Sequence, residues 1–236
     1  HIILLVLLLS LFASLGCRKS RWPFCRRGTG EVVEVERTLN SFSGVETLNS
    51  ADIYIQRADT QKVVVTARQS LHQIIRTAIS GELMRLDFDG CTRADDAVTV
   101  FVWSPEINTL SIRGSGNIDC PDTMYVQDGF VSIAGSGSIS YTTDAETLHV
   151  TISGSGDVVL GGLAGVLDIE VKGSGNVEAF GLVADECRIK VSGSGDCNVT
   201  VENKLDVIIS GSGDVNYRGR PTVSTKITGS GNVTGY

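Results

Sequence analysis

The sequence predicts an all-β fold: a parallel β-helix, or solenoid, with about 18–21 residues in each coil. First, the phrase Gly-Ser-Gly occurs seven times in the second half of the chain, and successive copies begin 18 to 21 residues apart. Second, β-branched residues recur at fixed positions around every copy. Third, 27 glycines and only 6% aromatic residues suit many corners joined by aliphatic strands. A period of this length is typical of stacked repeats.

Each Gly-Ser-Gly phrase is predicted to form a corner between two strands. Two residues before its first glycine stands Ile or Val in every repeat, and four residues after it stands Ile, Val or, once, Cys197. Apolar residues that alternate with polar ones in this way indicate strands. The glycines expected to serve as structural turns, by conformation and by leaving room for close coil stacking, are Gly114, Gly116, Gly135, Gly137, Gly154, Gly156, Gly173, Gly175, Gly193, Gly195, Gly211, Gly213, Gly229 and Gly231.

The repeats could form antiparallel hairpins or the coils of a parallel stack. Hairpins would reverse the inward-facing column at each turn, whereas here the same offset carries the same class of residue in every repeat. Coils stacked about 4.8 Å apart place equal offsets on top of one another as ladders of like residues. The parallel stack therefore accounts for the pattern.

The amino-terminal residues 1–16 are predicted to be a signal segment of the lipoprotein type. The stretch from Ile2 to Leu15 is almost wholly apolar, and Ser14-Leu15-Gly16-Cys17 resembles a bacterial lipoprotein signal, in which the cysteine carries the lipid. An ordinary secretory signal is the alternative. Residues 17–30 contain five cations and are expected to be a basic linker, anchored by lipid on Cys17 and able to contact anionic head groups.

Residues 31–236 are predicted to be one β-helix domain, in which 31–105 form irregular coils and 106–236 contain the seven repeats. Apolar alternation at Val33/Val35, Ile53/Ile55 and Val63/Val65 indicates strands in the irregular part. Turn-forming residues such as Asn49-Ser50 separate them. Leu71, Ile74, Ile75 and Ala78 fit a helical spacing, whereas Ile75, Thr77 and Ile79 also fit a strand before the Ser80-Gly81 turn. We expect one helical turn, followed by a hairpin.

These segments resemble a known family. The run Arg37–Val45, then Ala51–Gln56, then Ser80–Leu83, and then the repeated Gly-Ser-Gly-Asn/Asp-Val/Ile corners are similar to the GIN-domain family. Its members are described as head domains of autotransporter adhesins and are common as lipoproteins of Gram-negative bacteria. The resemblance covers about residues 31–236 and implies a right-handed parallel β-helix at the cell envelope. It implies no catalytic residue.

The corners themselves do not match a ligand-binding motif. They lack the third glycine of a dinucleotide fingerprint and the Lys-Ser/Thr of a phosphate-binding loop, and the serine is not placed as in a nucleophile elbow. Three residues after the first glycine, Asn or Asp recurs in six of the seven repeats. We expect this ladder to satisfy the turn, with no metal; calcium at Asp157, Asp196 and Asp214 is the weaker alternative.

The cysteines and histidines do not form a recognisable catalytic site in the sequence. Cys120, Cys187 and Cys197 fall in apolar columns and are expected to be core residues, with a Cys187–Cys197 bridge as a minor alternative. Cys25 and Cys91 have no place in the ladders. Of the three histidines, His149 is predicted on the outer face, and no nucleophile–base pair can be placed. The acid pair Asp95-Asp96 is expected in a solvated loop.

The predicted function is that of a non-enzymatic envelope lipoprotein, an adhesion or scaffold module with no cofactor. The alternative is a carbohydrate-active β-helix that binds or cleaves glycans. We expect an outer-membrane location and a membrane contact through lipid, with a glycan or protein as ligand. A net charge of −7, without a basic cluster beyond the first thirty residues, excludes nucleic acid. The final coil is expected to be covered by self-association.

Overall fold

A computed structural model describes residues 25–93 and 95–236. The chain is 62% strand and forms a parallel β-solenoid of about seven turns, which confirms the predicted fold class. The signal segment, Cys17 and the linker up to residue 24 lie outside the described residues. The strands are β1 Val32–Glu36, β2 Gly44–Thr47, β3 Asp52–Arg57, β4 Lys62–Arg68, β5 Ile75–Ser80, β6 Leu83–Phe88, β7 Thr99–Ser104, β8 Thr109–Ile112, β9 Ile118–Ile133, β10 Ile139–Ile152, β11 Val158–Val171, β12 Val177–Val191, β13 Cys197–Ile209, β14 Val215–Arg218, β15 Thr222–Ile227 and β16 Val233–Gly235.

Each of the strands β9 to β13 runs from one corner to the next and pairs in parallel with the strand of the following coil. Ile139 lies between Ile118 and Val158, and Leu167 lies between Leu148 and Cys187, so equal offsets stack as predicted. The residue two places before the corner is at most 1% exposed in the first six repeats. These inward columns form one continuous core.

Glycine is required at the corners because the backbone of the preceding coil leaves no room for a side chain. All fourteen lie in the described part of the chain and none has a positive φ, so the expected special backbone conformation is wrong. A Cβ on Gly173 would instead lie 1.8 Å from the carbonyl oxygen of Gly154 in the preceding coil. The same close approach recurs at every corner, and Ser174 donates its backbone N–H to that carbonyl at 3.0 Å.

The first coils are not stacked in the order of the sequence. Along the stack, β2 lies between β6 and β8, and β3 lies between β7 and β9. The chain therefore builds a middle coil first, returns to place a coil beneath it, and then continues upward. Residues 49–51 form the corner under Gly114, since Ser115 and Gly116 donate backbone N–H groups to the carbonyl of Asn49.

Antiparallel strands cover the amino-terminal end of the stack. Strand β4 pairs with β7, β1 pairs with β4, and β5 pairs with β6. A 3-10 turn over Gln69–Gln73 precedes the β5–β6 hairpin, which confirms a helical turn followed by a hairpin, but Ile75 and Ala78 lie in β5 and not in the turn. At the opposite end all six residues of β15 are exposed. The described residues include no helix long and apolar enough to cross a membrane.

The five cysteines between residues 25 and 236 form one disulfide and three core thiols. Cys25 and Cys91 form a disulfide and so tie the start of the described chain to the loop before β7. Cys120, Cys187 and Cys197 are buried free thiols, as predicted, and the alternative of a Cys187–Cys197 bridge is wrong. Burial raises the pKa of Cys120 and of Cys197 to about 12.

Candidate functional site

A trough of about 640 Å³ lies on the face of the solenoid that precedes each corner. Two outward columns line it, five and three residues before the first glycine of the corner. They flank the inward positions at four and two residues before it, so strand alternation alone directs these side chains outward. The outward side chains of the trough are His149, Thr151, Asp168, Glu170, Arg188, Lys190, Asp206, Ile208, Ser224 and Lys226.

Ion pairs between successive coils fix the charged groups of the trough. Arg188 Nη1 lies 3.2 Å from Asp168 Oδ1, and Lys190 Nζ lies 3.2 Å from Glu170 Oε1. Asp168 Oδ2 also lies 3.5 Å from His149 Nδ1. These pairs are partly exposed, so each contributes little to stability. Their main effect is to order long side chains along one surface.

An aromatic pair stands where the trough begins. The ring of Phe130 stacks on the imidazole of His149 with centroids 5.1 Å apart and planes 17° apart. Phe130 is 46% exposed, and its neighbour in the preceding coil is the small side chain of Thr109. The outer-face position predicted for His149 is confirmed, and an exposed aromatic ring adjoins the charged groups.

A buried carboxylate closes the same face at its amino-terminal end. Glu46 is 2% exposed, and its two oxygens lie 2.7 Å from Arg85 Nε and 2.9 Å from Arg113 Nε. Ser111 Oγ donates a further hydrogen bond to Glu46 at 3.4 Å. Because Arg85, Glu46 and Arg113 come from three different segments, this cluster joins β6, β2 and the first Gly-Ser-Gly corner.

The cations of the trough lower the pKa of one of its carboxyl groups, that of Glu170. The ammonium groups of Lys172 and Lys190 hydrogen-bond to Glu170 and lower its pKa. A glycosidase needs a carboxylic acid whose pKa is raised, so that it is protonated near neutral pH. Asp168 lies beside His149 and the guanidinium of Arg188. The carboxylate oxygens of Asp168 and Glu170 can therefore accept hydrogen bonds.

The predicted Asn/Asp ladder lies at the corners, where its side-chain oxygens accept hydrogen bonds from backbone N–H groups. Asp157 Oδ1 accepts the N–H of Asn176 at 2.9 Å, and Asn176 Oδ1 accepts the N–H of Asp196 at 2.9 Å. Asp196 and Asp214 continue the chain of hydrogen bonds to Asn232 at 2.7 Å. Within residues 25–93 and 95–236, no three His, Cys, Asp or Glu side chains converge as a metal site. That the ladder binds no metal stays a prediction, with calcium as its alternative.

Of the acid pair Asp95-Asp96, only Asp95 is exposed to solvent as predicted. Asp95 is exposed, but Asp96 is 7% exposed. Asp96 Oδ2 accepts the N–H of Gly28 at 2.6 Å, and its other oxygen lies 3.4 Å from Arg68 Nε. Together with the nearby disulfide of Cys25, this carboxylate fastens the amino-terminal segment to the solenoid. The solvated-loop interpretation is therefore wrong for Asp96.

The trough columns were not singled out from the sequence, although the repeat alignment contains them. The position five before each corner reads Thr109, Phe130, His149, Asp168, Arg188, Asp206 and Ser224, and the position three before reads Ser111, Ser132, Thr151, Glu170, Lys190, Ile208 and Lys226. These columns differ from coil to coil, whereas the inward columns do not. That variation is the available signal.

A family comparison agrees with the repeat pattern. Residues 41–221 match the sequence profile of the family described as "Putative auto-transporter adhesin, head GIN domain". The chain belongs to this GIN-domain family. The predicted resemblance is thereby confirmed. No curated protein matches the sequence.

Solved structures share the fold of this GIN-domain chain. A "putative adhesin" from Bacteroides fragilis is 20% identical with a TM-score of 0.80, and the alignment covers 89% of this chain and 100% of that one. A "putative lipid binding protein" from Parabacteroides distasonis is 22% identical with a TM-score of 0.71, covering 89% and 99%. A "putative adhesin" from Parabacteroides merdae is 19% identical with a TM-score of 0.70, covering 89% and 98%. At these identities the likeness concerns the fold.

Proposed function

We propose that this GIN-domain chain is a non-enzymatic lipoprotein of a Gram-negative outer membrane, and that it acts as an adhesion or binding module. The observation that carries the proposal is the trough, an ordered polar surface on a rigid stack whose carboxylates are all paired with cations. Such a surface can bind a partner, and its cations lower the pKa of Glu170, whereas glycan cleavage requires a carboxylic acid whose pKa is raised. Membership of an adhesin-like family agrees with this role.

The disulfide supports an exported location. Disulfides persist in oxidising compartments such as the periplasm and the cell surface, and are rare in the cytosol. The Cys25–Cys91 bridge also fixes where the chain leaves the solenoid, close to its amino-terminal end. Cys25 follows Cys17 by eight positions, and a chain of that length spans at most about 29 Å. A lipid on Cys17 would therefore keep this end of the domain near the membrane.

The anchor is tested by metabolic labelling with a fatty-acid analogue in a Gram-negative host. We expect the full chain to carry the label and to sediment with membranes, and Cys17→Ser to lose both properties. Cys25→Ser is the matched control, because it removes the other amino-terminal cysteine without touching the lipidation motif. Label that persists in Cys17→Ser would contradict the proposed anchor.

The binding function is tested by adherence. Cells that produce the chain are compared with cells that lack it on a panel of immobilised proteins and glycans. We expect increased retention on at least one surface, without release of reducing sugar from any glycan. Equal retention on every surface would refute the binding module, and sugar release would refute the non-enzymatic assignment.

A further inference from the structure

We infer that the trough binds an uncharged oligosaccharide laid along the axis of the solenoid. The inference rests on the proposed binding function and names the ligand class and the surface that receives it. Four features carry it: an exposed aromatic ring that adjoins the trough at His149, and the ordered polar groups, balanced charge and length of the trough itself.

The aromatic ring is that of Phe130. One of its faces is covered by His149 at 5.1 Å, while the ring remains 46% exposed beside the small Thr109. A pyranose ring has a face of C–H groups, which packs favourably against an exposed aromatic surface. Ligand sites commonly combine such a ring with a few well-placed polar groups. Phe130 and His149 provide this combination at one end of the trough.

The polar groups are both donors and acceptors, as sugar hydroxyls require. Asp168 and Glu170 offer carboxylate oxygens from one coil, and Arg188 and Lys190 offer N–H groups from the next. A sugar hydroxyl can donate to the first row and accept from the second. Because ion pairs of 3.2 Å already order these side chains, less conformational entropy is lost on binding.

The charge balance favours an uncharged ligand. Three cationic side chains line the trough, Arg188, Lys190 and Lys226, and three anionic ones, Asp168, Glu170 and Asp206, so the sum is zero. The whole chain carries −7. A polyanion would require a basic stripe, and a polycation would be drawn to the acidic remainder of the surface. The neutral trough therefore suits hydroxyl-rich chemistry without net charge.

The length of the trough suits several sugar units. From His149 to Ser224 it crosses five coils, and four intervals of about 4.8 Å give roughly 19 Å. The volume of about 640 Å³ lies within the range of small-molecule sites. Since consecutive pyranose units are separated by a distance similar to the coil spacing, each unit can face one coil.

The test uses the full chain on an array of neutral and charged glycans, followed by calorimetry with a bound neutral glycan. We expect neutral oligosaccharides to bind, with an affinity that changes less than about twofold between 0.05 and 0.5 M salt. Phe130→Ala and the charge-neutral pair Asp168→Asn/Arg188→Gln should each weaken binding about tenfold, which corresponds to 1.4 kcal/mol. Tyr125→Ala, which removes an exposed aromatic ring outside the trough, should leave affinity unchanged.

Three results would overturn the inference: no neutral glycan binds, both trough variants bind as the parent does, or only charged glycans bind and salt abolishes it. Urea unfolding of each variant confirms that its fold is retained. The adherence assay distinguishes failure of the ligand assignment from failure of the proposed function. If cells adhere equally well with the parent and with the trough variants, the ligand assignment fails while the binding module stands; if the parent confers no adherence, the proposed function fails.

Discussion

Replacing a corner glycine by alanine should destabilise the solenoid strongly. In Gly173→Ala the new Cβ would lie 1.8 Å from the carbonyl oxygen of Gly154, whereas ordinary contact begins near 3.4 Å, so the two coils must separate locally by about 1.6 Å. That shift breaks the 3.0 Å hydrogen bond from Ser174 to the same carbonyl. Overpacking costs about 1–3 kcal/mol and each lost hydrogen bond about 1 kcal/mol. We expect a loss of about 3 kcal/mol.

The assay is thermal or urea unfolding followed by circular dichroism. For a chain of this size, a loss of about 3 kcal/mol lowers Tm by roughly 6–12 °C. The matched control is Gly161→Ala in β11, where the added Cβ would meet only the side chain of Thr142 at 3.3 Å. Alanine there should be neutral or stabilise by up to about 1 kcal/mol. Equal Tm values for the two variants would refute the close-approach explanation of the corners.

Four further predictions concern the core thiols, the Glu46 cluster, the Asn/Asp ladder and the exposed end. Raising the pH above about 8.5 should lower the free energy of unfolding by up to about 2 kcal/mol per buried thiol at pH 10, because the thiols ionise only when unfolded; a pH series of urea midpoints measures this. Glu46→Gln should lower the free energy of unfolding by about 2 kcal/mol, because Arg85 and Arg113 lose their charged partner. An unchanged urea midpoint would show that this cluster does not stabilise the fold. Asp196→Asn should retain the hydrogen bonds of the ladder and abolish any calcium-dependent rise in Tm. Val223→Lys on the exposed β15 should reduce self-association, measured by light scattering.

The repetitive half of the fold was predictable because its determinants are local and repeated. The alternation around each corner identifies inward positions such as Ile152 and Val171, and stacking seven equal units leaves little freedom in their register. The cysteine columns follow from the same alignment: Cys187 stacks on Leu167 because both occupy one offset. A single sequence therefore specifies both the core and the class of fold.

The amino-terminal half was less predictable because its pairings are not local. Strand β2 pairs with β8, and the backbone partners Gly44 and Thr109 are 65 residues apart in sequence. No repeated phrase links them, and nothing in the order of segments indicates that β6 lies beneath β2. The same applies to Cys25 and Cys91, which are 66 residues apart. Alternation identifies such strands but does not assign their neighbours.

The positions of a coil differ in how strongly the fold restricts their residue type, and the trough consists of the least restricted positions. Close approach of backbones restricts the corners to glycine, and the core restricts inward positions to aliphatic residues and small thiols. Outward positions carry neither constraint, so uniformity is not required of them. The column that reads Phe130, His149, Asp168, Arg188 and Asp206 changes its chemistry at every coil, while the inward column beside it remains aliphatic. Because the uniform columns specify the stack, the proposed ligand would be recognised by the columns that vary, and these line the trough.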